Sequence, residues 1–125
     1  MSRTQFRHIR DDVYKIDLLV VWGGSIDHAQ EIAEELFDIK NELAVLPSDA
    51  GAMFECETNK VCCLYVIWME RRELSTVAHE CLHVTADVFK KRGVLFNISN
   101  DEQIAYYMGY LIDAIMSPKK RKKHA

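Results

Sequence analysis

Residues Ser75–Gly93 read STVAHECLHVTADVFKKRG, and at their centre His79-Glu80-Cys81-Leu82-His83 is a complete H-E-x-x-H. Two histidines at i and i+4 of a helix project one turn apart from one face, so their ring nitrogens can converge on a single Zn²⁺. Glu80 sits one residue further round the helix. That offset lets its carboxylate reach a zinc-bound water instead of the zinc, which is where a general base for hydrolysis has to be. At 100° per residue Leu74, Val77, Ala78, Cys81, Thr85 and Val88 form an apolar stripe, with His79, His83, Asp87 and Lys90 on the opposite side. An ordinary solvated helix face has the same pattern, so a metal site needs a third ligand downstream.

Asn100-Asp101-Glu102 opens a second amphipathic segment, and Glu102 follows His83 by 19 positions. That spacing allows the first helix to end, a loop to turn, and a carboxylate to return beside the histidines. Two histidines and one carboxylate form a catalytic zinc set that leaves the fourth position for water. Glu102 also stands third after Ser99, where a capping-box glutamate would be, so ligand and cap are both open roles for it. His79, Glu80, His83 and Glu102 together resemble the gluzincin pattern of thermolysin-like and other small zinc metallopeptidases. The resemblance spans about residues 61–113 and implies a zincin-like fold, a Zn²⁺ cofactor and peptide-bond hydrolysis. The chain departs from thermolysin-like enzymes one turn after the glutamate ligand, where Tyr106 stands in place of an aspartate. Asp87 and Asp113 are then the candidates to orient a histidine, and Tyr106 is a candidate to place a phenol beside the metal and stabilise an oxyanion. Ordinary helix packing is the competing role for Tyr106, Tyr107 and Tyr110.

The chain has 125 residues, 49% of them apolar, and a net charge of −3, which suits one domain and leaves too little for two. No apolar run reaches membrane-spanning length, and MSRTQFRHIRDD is polar with no signal-peptide core behind it. A soluble, cytosolic protein is expected, and its brevity without a secretion signal is similar to that of phage or mobile-element proteins. Of four cysteines, Cys62 and Cys63 are adjacent and Cys81 lies inside the motif. This is poor geometry for a disulfide framework, and the thiols are expected to be reduced. No C-x-x-C pair supports a metal cluster at Cys56, Cys62 and Cys63.

Residues 13–22, VYKIDLLVVW, are rich in β-branched and aromatic side chains up to Gly23-Gly24, which predicts a strand and a tight turn with Ser25 as N-cap. From Ile26 to Leu43 the apolar residues recur at three- and four-residue spacing, which predicts a helix over 25–43. After the break at Pro47 and Gly51, two β-prone runs at 52–56 and 61–69 flank a short polar insert and read as a hairpin. The second run, apolar on both faces, is either a central strand or, near Tyr65 and Trp68, the floor beside a substrate cleft. Helices are expected at 73–92, with Gly93 as a left-handed cap, and at 100–116.

The expected architecture is an α+β domain over 1–117 with three strands and three helices, followed by a basic disordered tail at 118–125. Without the five basic residues of that tail the chain is strongly acidic, which argues against a nucleic-acid-binding fold. The expected partner is a peptide or protein substrate, with no membrane; the sequence carries no signal for an oligomeric state. A zinc-binding interaction module without efficient turnover is the rival reading, because a short chain leaves little to build a lid or side-chain pockets.

Overall fold

The computed structural model describes residues 3–118. The basic run Lys119–Lys123, expected as a tail, lies outside the described residues. The chain forms an α+β fold whose four-stranded sheet comprises β1 (Gln5–Asp11), β2 (Ile16–Trp22), β3 (Gly51–Cys56) and β4 (Leu64–Met69). Three helices accompany it: α1 (Ile26–Phe37), α2 (Leu74–Lys91) and α3 (Asp101–Met116), with a short 3-10 turn at Ile98–Asn100. The strand order is β1-β2-β4-β3. β2 pairs with β4 in parallel, and each outer strand pairs antiparallel with its inner neighbour.

The two inner strands are buried throughout, because helices cover both faces of the sheet. Leu19, Val21, Leu64, Val66 and Trp68 meet Ala29, Ala33 and Phe37 of α1. On the opposite face Leu18, Val20, Tyr65, Ile67 and Met69 pack with Val77, Cys81, Val84 and Val88 of α2 and with Tyr107, Leu111 and Ile115 of α3. Successive strand residues point to opposite faces, so a strand covered on both sides reads as one continuous apolar run. The run at 61–69 therefore contains a central strand, and β3 is an edge. No helix among the described residues is long and apolar enough to cross a membrane.

Three expected boundaries need correction. The strand expected over 13–22 begins only at Ile16, and a further strand, β1, is drawn from the preceding segment that looked merely polar. Its inward Ile9 and Asp11 are buried, and Asp11 accepts hydrogen bonds from the Val13 and Tyr14 amides (2.9 and 3.3 Å) and from the Tyr107 hydroxyl (2.7 Å). On the other face His8 and Arg10 both reach the buried Asp17, each at 2.8 Å. The helix expected over 25–43 stops at Phe37, where Asp38 adopts a left-handed conformation (φ 49°) and its amide bonds the Glu34 carbonyl. Ile39 and Leu43 stay buried without being helical. The side chain of Gln30 holds that segment by accepting from the Leu43 amide (2.6 Å) and donating to the Asn41 carbonyl (3.0 Å). Finally, β4 begins at Leu64, and Val61–Cys63 belong to the turn before it.

Candidate metal and catalytic site

The site is built on α2, whose burial is not what a simple two-sided wheel predicts. Val77, Cys81, Thr85 and Val88 are buried as expected, but Leu74 of the expected stripe is exposed, and Val84 and Glu80, the latter at 5% exposure, are buried. The reason is the edge strand β3, which lies beside the helix. A Cβ built on Gly51 would stand 2.7 Å from Thr76 Cγ2 and 3.4 Å from Glu80 Oε2, so the glycine is what lets strand and helix approach there. At the other end of β3, Glu55 forms an ion pair with Lys91, which also meets Asp87 at 3.4 Å. Asp87 in turn accepts from the buried Tyr65 hydroxyl at 2.5 Å. Strand and helix are thus joined along their length.

His79 and His83 stand on the exposed side of α2 with their Nε2 atoms 3.3 Å apart and their rings at 71° to one another. An open cleft of about 280 Å³ is lined by Ala50, Gly51, Ser75, Thr76, His79 and Glu80. Burial pushes the Glu80 carboxyl above the ordinary glutamate range; positive charge on His79 and His83 opposes the rise, and Asp49 adds to it. A carboxyl raised in this way is a better proton acceptor than an exposed one.

The last two expected site residues are not brought to this pair. Arg72 of the segment before α2 donates to the Ile115 carbonyl near the end of α3, while Phe89 near the end of α2 meets Tyr107. The helices therefore run antiparallel, and Tyr107 is level with Phe89. At 1.5 Å per residue Glu102 is displaced from His83 by about 16 Å along the axes, and Tyr106 by about 10 Å. Glu102 is exposed in the first turn of α3. Tyr106, 75% exposed, lines a separate cleft beside the β1–β2 turn with Val13, Tyr14 and Tyr110. Among the described residues no three His, Cys, Asp or Glu side chains form a metal-holding group. The candidates for orienting a histidine also lie elsewhere: Asp87 bonds Tyr65 and Lys91, and Asp113 lines a surface depression with Tyr110 and Ser117.

Three contributors were missed by sequence reasoning. Gly51 and Thr76 set the contact between β3 and α2, and Asp49 acts on Glu80 through its charge. The only sequence signal was the glycine that opens β3 after the Pro47 break. Tyr65 and Trp68, weighed as a cleft floor, are buried in β4 instead; Trp68 Nε1 donates to the Gly24 carbonyl at 3.1 Å. All four cysteines are free thiols. In comparisons with known protein families, curated proteins and solved structures, nothing matches this chain.

Proposed function

We propose that this protein is a zinc-dependent peptidase in which His79 and His83 hold the metal and Glu80 serves as general base. The observation that carries the reading is the 3.3 Å separation of the two Nε2 atoms. Two nitrogens bound tetrahedrally to one zinc at about 2.0–2.1 Å each lie about 3.3 Å from one another, and the spacing of the pair matches that distance. Bound there, zinc supplies Lewis-acid polarisation of a carbonyl and lowers the pKa of a water to about 7. Glu80, buried next to the histidines, takes the proton of the attacking water and returns it to the leaving amine. Among the described residues the outer edge of β3 pairs with no strand and offers its backbone groups to an extended substrate, and Gly51 keeps side-chain bulk out of the space between that edge and Glu80.

A second reading, a zinc-binding interaction module, is favoured by the displacement of Glu102, which leaves two histidines where catalytic zinc sites use three protein ligands. Glu80→Gln separates the two, because glutamine keeps the shape and cannot accept the proton. A mixed peptide library is offered to both proteins and cleavage is followed by mass spectrometry. The peptidase reading expects products from the wild type and none from Glu80→Gln, with zinc retained in both. Zinc-loaded wild type that yields no more cleavage than Glu80→Gln would overturn it in favour of the module.

A further inference from the structure

The sheet's other edge carries a cationic cleft that the proposed hydrolysis does not use. About 670 Å³ of open space is bordered by Thr4–His8 along β1, by Trp22, and by Arg72 and the end of α3. Arg7 crosses to the last turn of α3, where its Nη1 donates to the carbonyls of Ala114 (2.7 Å), Ile115 (3.1 Å) and Ser117 (2.8 Å). Arg72 joins it through Nη1 on Ile115 O (3.1 Å) and stacks 4.7 Å above the Trp22 ring.

The plain account of these contacts is that two arginines cap a helix C-terminus, and charge and donor count show what that leaves over. A helix C-terminus presents roughly half a negative charge, against two full positive ones. Among the described residues neither arginine forms an ion pair with a carboxylate. Burial and the like charge of Arg72 both pull Arg7 down, as expected of cations held close without a counter-ion. Among the described residues each guanidinium uses only Nη1, leaving Nε and Nη2 as a fork of the kind that grips a carboxylate in two-point contact. This happens in an acidic body: of sixteen Lys and Arg, five lie in Lys119–Lys123, which leaves eleven against nineteen Asp and Glu.

We propose that this cleft binds an extended acidic segment of a partner protein, which adds as a strand to the outer edge of β1 and sets a carboxylate on the free forks of Arg7 and Arg72. Among the described residues β1 pairs only with β2, which leaves its outer backbone groups to another chain. A peptide uses both features, the strand edge and the forks, where a nucleic acid would use only the charge. The chain's own continuation past Pro118 is cationic and has the wrong sign to be the occupant.

The test titrates the full-length protein with fluorescently labelled peptides of alternating Val and Glu, the same pattern with Lys, and an oligouridylate of matched charge. The Val/Glu peptide should bind, more weakly as salt rises, and should protect amides of Gln5–Ile9 from exchange. Arg72→Gln should weaken it by about tenfold and Arg72→Lys, which keeps the charge and loses the fork, by less. Circular dichroism of both substituted proteins should match the wild type, and zinc binding should not change, which separates this result from the fate of the metal site. Tighter binding of the oligouridylate, equal binding by Arg72→Gln, or protection confined to β3 would each overturn the proposal.

Discussion

Glu80 shows how far a single residue can depart from its position on a helical wheel. The sequence placed it next to the two histidines, and that was legible from the H-E-x-x-H spacing alone. Its burial was not legible, because the neighbour that covers it, Gly51, is distant in sequence and has no side chain to announce a contact. Glu102 is not brought to the histidines, for a related reason. Its spacing from His83 permitted a return to the histidines, but the level at which α3 packs is set by contacts such as Phe89 with Tyr107, which no local pattern encodes. The cysteines provide a test at this scale. Cys81 is wholly buried, and burial pushes its thiol up to about 12, while Cys62 is exposed. With iodoacetamide in mildly alkaline buffer, Cys62 should be alkylated in the native protein and Cys81 only after denaturation, since the thiolate is the nucleophile. Peptide mapping reads this directly, and early modification of Cys81 would mean that α2 does not seat its inner face in the core.

At the level of elements, strong periodic signals were read correctly where local and tertiary demands agree. α2 and α3 fall within about a residue of the expected bounds, and Gly93 takes the left-handed conformation (φ 72°) expected after α2. β1 was missed because an edge strand needs few apolar residues, and two of its polar ones, His8 and Arg10, reach the buried Asp17 of the neighbouring strand. The end of α1 was overrun because Ile39 and Leu43 are buried at helical spacing without being helical. The β3–α2 contact carries the sharpest consequence for mutation. Gly51→Val drives a branched side chain into Thr76 and Glu80, and overpacking of this kind costs about 1–3 kcal/mol. Urea denaturation should report that loss, together with reduced hydrolysis as Glu80 is displaced. An unchanged midpoint would show that strand and helix are not in contact at this point.

For the whole molecule, the sheet separates two surfaces of different chemistry. The β3 edge lies beside Glu80 and His79 of α2; the β1 edge carries Arg7, with Arg72 next to it. The core under α2 is made by Val77, Cys81, Val84 and Val88, not by the histidines, so removing metal should leave the fold in place. Zinc should nevertheless stabilise it, by about 2.7 kcal/mol at a free concentration one hundred times Kd. The most direct measurement is zinc stoichiometry after equilibrium dialysis, taken on wild type, His79→Ala/His83→Ala and Glu102→Ala. The expected result is about one zinc per chain for wild type and for Glu102→Ala, and none for the double histidine substitution. Full zinc retention by His79→Ala/His83→Ala would contradict the site on α2 and the proposed function built on it.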